Sequence, residues 1–250
     1  MLRCKSKPPQ TYSLATENTM PICYACADLA TTNEHVPPKC LFPERKDVQE
    51  GVNLRRNLIT VPSCEEHNLR KSGDDEYLLY ILSFNLPANT TADGQATTKI
   101  ARAMERRPAL SKSLMEAQQP VLVIDDRIRE IYETAEVALD GARFERTLNL
   151  IALGIYFHHY RTRWNGNLRV CPEFIAFPYE ATASEINASI SALAVYAEQL
   201  FAGANHYGEN LDVFSYQIVE PDHKYQCLLR LSFYGGCKAT AFFETKHGGY

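Results

Sequence analysis

The chain has 250 residues, 45% of them hydrophobic and 22% charged, with a formal net charge of −4. That is the ordinary range for one large or two modest globular domains. Its longest apolar stretches, such as Leu148 to Phe157, are too short or too interrupted to span a bilayer, which takes about twenty apolar residues, so no membrane partner is expected.

Met1 to Lys7 carries charge with no apolar core after it, which does not read as a secretory leader, and a cytoplasmic location is the expectation. In that compartment thiols stay reduced, so close cysteine pairs among the eight cysteines read as metal ligands rather than disulfides. The negative total conceals an asymmetry. Residues 1–73 hold ten Lys and Arg against eight Asp and Glu, and the remainder sixteen against twenty-two. The first part therefore permits contact with a phosphate backbone without demanding it.

Taken in chain order, residues 1–20 contain Pro8-Pro9 and many polar side chains with no periodic apolar pattern, and read as a loose lead-in. Residues 21–73 are rich in Cys, Pro and Asn and poor in long apolar runs, so a metal staple would have to supplement a thin core. From Asp74-Asp75-Glu76 onward, Tyr77, Leu78, Ile81 and Leu82 at helical spacing start a helix. Further helices are predicted over about 96–106, 142–160 and 184–201, the last two opened by Asp140 and Ser184 as caps. Strands are predicted at about 131–138, 168–177, 211–219, 226–233 and 238–244, with Gly235-Gly236 turning between the last two. The fold class is α+β: a small module over 21–73, then an α+β region over 74–250 with long helices and a C-terminal antiparallel sheet. The His247 to Tyr250 tail reads as a frayed end.

Two ligand pairs stand out. Cys23-Tyr24-Ala25-Cys26 is followed some forty residues later by Cys64-Glu65-Glu66-His67. A knuckle, or the first turn of a helix with ligands at i and i+3, brings both donors of a pair to one side. Thiolate and imidazole both suit zinc, and four ligands close a tetrahedral site, so Cys23, Cys26, Cys64 and His67 are expected to hold a structural ion. Cys4, Cys40, Cys171, Cys227 and Cys237 lack paired spacing and read as small buried hydrophobes. His158 and His159, inside an aromatic helical segment, read as core or partly buried histidines.

Between the pairs lies Thr32-Asn33-Glu34-His35-Val36-Pro37-Pro38-Lys39. Then Asn57-Leu58-Ile59-Thr60-Val61-Pro62-Ser63 runs into Cys64, with Asn68 directly after His67 and Lys71 three further on. This ordered set over about residues 23–71 resembles the HNH endonuclease family, in its zinc-containing treble-clef, or ββα-metal, branch. The resemblance implies a metal-dependent phosphodiester hydrolase: Glu34 and Asn68 on a divalent metal, His35 as general base, and Asn57 bracing the loop that carries His35. Two positions depart from the usual pattern, with His67 where a cysteine is common and Asn68 where many members carry His. Segments from Phe144 to His158, and from Val213 to Gly236, are similar to the downstream portion of uncharacterised bacterial HNH-containing proteins.

Phosphodiester hydrolysis needs an activated water, charge stabilisation and help for the leaving oxygen, and these residue types suit it. A neutral histidine accepts a proton near pH 7. Carboxylate and amide oxygens suit Mg²⁺ or Mn²⁺. Adjacent residues on a strand face opposite ways, so Glu34 and His35 are expected at a strand end, with Pro37-Pro38 stopping the ladder. One helix begun by Cys64 is expected to place Cys64 and His67 on one stripe and Asn68 and Lys71 on the next. Lys39, Arg55, Arg56 and Lys71 are the candidate phosphate contacts, in DNA more readily than RNA. Two other readings stay open: a zinc-stapled nucleic-acid-binding or protein-interaction module without catalysis, and His35 as a zinc ligand in place of His67.

Overall fold

Apolar spacing explains most of the elements in the computed structural model, which describes residues 21–85, 88–106, 118–125, 130–177, 183–221 and 225–245. The lead-in over 1–20, with Cys4, and the tail from His247 to Tyr250 lie outside the described residues. The chain is mixed helix and sheet and carries a four-stranded antiparallel sheet at its C-terminal end. No helix among the described residues is long and apolar enough to cross a membrane.

The first sheet is small. Strand β1 (Thr32–His35) pairs antiparallel with β2 (Thr60–Ser63), Thr32 opposite Ser63 and His35 opposite Thr60. Pro37 and Pro38 follow at once and have no N–H to extend the ladder, so Val36 donates the last bond, to Ile59 O at 3.0 Å. Cys64 then caps a four-residue helix, α1 (Glu65–Asn68). The single helix expected from Cys64 does not continue. A 3-10 turn over Leu69–Lys71 intervenes before α2 (Ser72–Ser83), which buries Leu78, Leu79 and Leu82.

Helix α3 (Thr90–Gln95) is capped by the Asn89 side chain, which accepts from Thr91 N and Ala92 N. A π-helical turn over Ala96–Ile100 joins it to α4 (Ala101–Arg106). Strands β3 (Gln118–Asp125) and β4 (Glu130–Val137) form a separate hairpin. Only β4 was expected. Pro120 argues against a strand within a sheet, yet it is tolerated in a two-stranded pair, where each strand has a free edge.

Helix α5 (Gly141–Tyr160) starts where Asp140 accepts from Arg143 N, and stops where Arg161 turns left-handed at φ 57°. Strand β5 (Asn167–Pro172) ends earlier than its sequence suggests, with one further backbone bond from Glu173 N to Lys238 O at 2.8 Å. Helix α6 (Ala183–Phe201) leads to β6 (Phe214–Val219), β7 (Tyr225–Phe233) and β8 (Cys237–Glu244), in the sheet order β5-β8-β7-β6.

Alternation divides this sheet between two helices. Leu229, Leu231 and Phe233 share one face with Ala239, Ala241 and Phe243 and join the core that α5 supplies through Leu148, Ile151, Ile155 and Tyr156. Tyr156 stacks on Phe243 at 4.8 Å between centroids. Leu228 points the other way, to Ala197 and Phe201 of α6. The large core also takes in Cys23, Tyr24, Val36, Leu41, Phe42 and Val61, so the segment from Cys23 to Val61 is packed onto the rest of the core.

Candidate metal centre and the Glu34–His35 cluster

Cys23 and Cys26 sit on a tight knuckle closed by Cys23 N to Asp28 O at 2.9 Å, with Ala25 N donating to Cys23 Sγ at 3.5 Å. Cys64 and His67 come from the start and the third residue of α1. The four ligand atoms lie within 4.8 Å of one another. Cys26 Sγ to Cys64 Sγ is 3.7 Å, Cys23 Sγ to His67 Nδ1 is 3.7 Å, and Cys64 Sγ to His67 Nδ1 is 3.2 Å. A tetrahedral zinc has edges of about 3.8 Å between sulfurs and about 3.6 Å between sulfur and nitrogen. The set can therefore hold a metal ion such as zinc.

One residue past His67, Asn68 turns toward β1. Its Nδ2 donates to Thr32 Oγ1 at 2.8 Å and to Asn33 O at 3.3 Å, which leaves Oδ1 outside both bonds. Glu34, next on the strand, is buried at 5% exposure. Its Oε1 meets Lys71 Nζ at 2.6 Å, and the same ammonium meets Asp75 Oδ1 at 2.8 Å. A buried carboxylate and a half-buried one thus share one cation. Burial pushes Glu34 up to about 7 against the opposing pull of Lys71. Burial raises Asp75 also, whereas burial alone would lower Lys71, and the two carboxylates outweigh it and raise it. Tyr24 Oη is buried with no hydrogen-bond partner among the described residues, and burial with the Glu34 charge drives its hydroxyl well above the ordinary range.

His35 is the last residue of β1 and half-buried. Alternation sends it away from Glu34. Its Nδ1 is buried without a partner among the described residues. Burial, then the nearby Lys39 charge, holds its pKa below the ordinary histidine value, so the ring is neutral at pH 7. His35 belongs to no part of the Cys/His cluster.

Of the four cations expected to face phosphate, Lys39 and Arg56 are exposed. Arg55 is half-buried and donates from Nε to Phe42 O at 3.0 Å. Lys71 is corrected to an internal counter-ion: at 7% exposure, between two carboxylates, its ammonium does not reach the surface. The break after α1 produces this, because the 3-10 turn carries Lys71 inward instead of along the Asn68 stripe. Asn57 sits in the left-handed region at φ 49°, and its Nδ2 donates to Glu209 Oε2 at 3.0 Å. It ties the loop before β2 to the distal part of the chain rather than to the His35 segment directly.

Several contributing residues had no sequence signal pointing to this cluster. Asp75 was visible only as part of a helix start, although Lys71 and Asp75 stand at i and i+4. Lys99 Nζ donates to Cys40 O at 2.7 Å, and Gln95 Nε2 and Tyr234 Oη donate to Leu41 O at 2.8 and 2.6 Å. Together they clamp the 3-10 turn (Lys39–Leu41) that follows Pro38. Asn210 Nδ2 holds Arg56 O at 3.0 Å. The ring of His159 packs on Tyr160, Tyr207 and Tyr216. Cys227 and Cys237 are fully buried, and Cys40 and Cys171 partly so. No protein-family model matches the chain, and no curated protein or solved structure matches it either.

Proposed function

We propose that the chain is a metal-dependent endonuclease of the HNH type, built on a zinc-stapled treble clef and hydrolysing phosphodiester bonds in DNA. The observation that carries this reading is the junction at Asn68. It follows a ligand of the Cys/His cluster and is bonded to Thr32 and Asn33, the two residues before Glu34 and His35. One short helix thereby joins the zinc-fitting site to the strand that carries Glu34 and ends at His35. A reducing compartment such as the cytoplasm, where the thiols stay unpaired, suits it.

In this reading the zinc is structural, since its four ligands leave no open position. Glu34 Oε2 and Asn68 Oδ1, the oxygens outside the bonds described above, are the hard donors for Mg²⁺ or Mn²⁺. That ion would neutralise charge on the scissile phosphate. His35, held neutral, takes the proton from the attacking water. Lys39 and Arg56 offer exposed positive charge to the flanking backbone.

One observation favours a second reading. Glu34 Oε1 is already satisfied by Lys71, which serves a zinc-stapled nucleic-acid-binding or protein-interaction module without catalysis. Incubation with supercoiled plasmid and Mg²⁺ or Mn²⁺, against an EDTA control, separates the two. Cleavage by wild type, reduced about 10²–10⁴-fold in His35→Ala with zinc content unchanged, is the expected result. Wild-type rates from His35→Ala would overturn the assignment of the base, and plasmid binding without cleavage would establish the second reading.

A further inference from the structure

The sheet face beneath α6 is half apolar and half polar. Register places Leu228, Arg230 and Ser232 of β7 on this face, with Gln217 and Ser215 of β6 opposite Arg230 and Ser232, and Thr240 and Lys238 of β8 on the other flank. Ala197 and Phe201 of α6 seal the Leu228 end. Gln217 Nε2 then donates to Phe201 O at 3.1 Å and Ala204 O at 3.0 Å, closing the carbonyl end of the helix. Beyond that closure lies a cavity of 620 Å³, lined by Ser215, Arg230, Ser232, Lys238, Glu198 and His206 among others. Its volume falls within the roughly 300–1,000 Å³ of small-molecule pockets.

The charges lining it and behind its wall are arranged in two tiers. Arg230, with a side chain 4% exposed, is matched from below by Glu173, 5% exposed, at 2.6 Å. Thr240 Oγ1 holds the second Glu173 oxygen at 2.6 Å. That inner pair is fixed. The outer anion is Glu198 of α6, whose side chain is 59% exposed and reaches Lys238 Nζ at 2.7 Å and Arg230 Nη2 at 3.0 Å. Arg230 Nε remains buried with no acceptor among the described residues. A buried guanidinium donor left without an acceptor is unfavourable, and folded chains keep such groups rarely. When Glu198 turns to solvent, Lys238 and Arg230 line the cavity with one positive charge in excess.

We propose that this cavity binds a small molecule bearing an oxyanion, a phosphate ester or a carboxylate, and that the Glu198 carboxylate stands in for that group in the free protein. The site is separate from the Glu34–His35 cluster and does not depend on the nuclease reading. Isothermal titration of the full chain with inorganic phosphate, and separately with succinate, at ionic strength held constant with NaCl, tests it. Saturable binding of either anion is expected. Binding of phosphate alone identifies the phosphate ester, and binding of succinate alone the carboxylate.

Glu198→Gln keeps the side chain's size and removes the competing charge, so affinity should tighten about tenfold or more. Lys238→Met should weaken it by a similar factor, as a charge-assisted bond of about 1.5–3 kcal/mol implies. Absence of saturable binding of both anions to wild type and to Glu198→Gln overturns the site. So does binding that Lys238→Met leaves unchanged.

Discussion

Gly154 of α5 lies against Val36, the residue after His35, so closely that a methyl group on Gly154 would stand 2.6 Å from Val36 Cγ2 and 2.8 Å from Cγ1. The helix of the distal region is thus seated directly on the strand end that presents the proposed base. Gly154→Ala gains about 1 kcal/mol of helix propensity, but overpacking a buried contact costs about 1–3 kcal/mol. A net loss of stability is expected in wild type. In a Val36→Ala background, where both γ-methyls are gone and only the Val36 Cβ stays close, at 3.1 Å, the same change should cost less. Thermal or denaturant unfolding of the four proteins in this cycle measures the coupling, and identical effects of Gly154→Ala in both backgrounds would refute the contact.

The Cys/His cluster should carry one zinc per chain through Cys23, Cys26, Cys64 and His67, whose donors already stand within 4.8 Å of one another. Apparent free energies of about 10–16 kcal/mol for structural zinc sites exceed the whole stability of most domains. Cys64→Ser should therefore lower solubility and the unfolding midpoint, and strong chelators should act likewise on wild type. Elemental analysis of well-folded protein without zinc would disprove the staple.

Lys71 bridges Glu34 and Asp75 at 2.6 and 2.8 Å inside the protein. Lys71→Met leaves the buried Glu34 and the half-buried Asp75 without their cation, for which a loss of about 3–5 kcal/mol is expected. Lowering the pH should return part of it, because protonation removes the charge. In wild type the sign is already visible at Glu34. Its folded pKa, pushed up to about 7 from an ordinary 4.5, means that the folded state binds protons more tightly. That contribution to stability is full below the ordinary value and is lost as pH rises toward 7. Unfolding midpoints of both proteins between pH 5 and 8 provide the measurement; a pH-independent deficit in Lys71→Met would contradict the triad.

Asp47 behaves oppositely. Arg102 grips both its oxygens, Nη1 to Oδ1 at 2.8 Å and Nη2 to Oδ2 at 2.7 Å, and these bonds hold its carboxyl below the ordinary 3.8. Its contribution is present above that value and fades as pH falls through the depressed one. Asp47→Asn should accordingly lower the midpoint at neutral pH and converge with wild type in acid. A gap that persists undiminished at low pH would assign the loss to packing.

Asn68→Ala should separate from His35→Ala in cleavage assays. The amide is proposed to act through the divalent metal, so raising Mn²⁺ should recover part of the lost rate. No concentration of metal should recover His35→Ala, because the proton acceptor itself is missing. Equal recovery of both variants would remove the distinction between metal ligand and base.

The sequence alone was enough for what depends on neighbours along the chain. Ligand pairs at x2 spacing identified Cys23, Cys26, Cys64 and His67, because a knuckle or a single helical turn is closed by its own few residues. Apolar periodicity and an Asp cap placed α5 within a residue of its observed start, and β-branched and aromatic runs marked β6, β7 and β8, since burial of one face is written in alternation. The tertiary structure alone decided where Lys71 points, that Asp75 shares it with Glu34, and that Asn57 reaches Glu209 across 152 residues of chain. It also decided that Gln95, Lys99 and Tyr234 clamp the turn after Pro38. Those contacts follow from which strand lies over which helix, a result of packing the whole core, and no local spacing carries it.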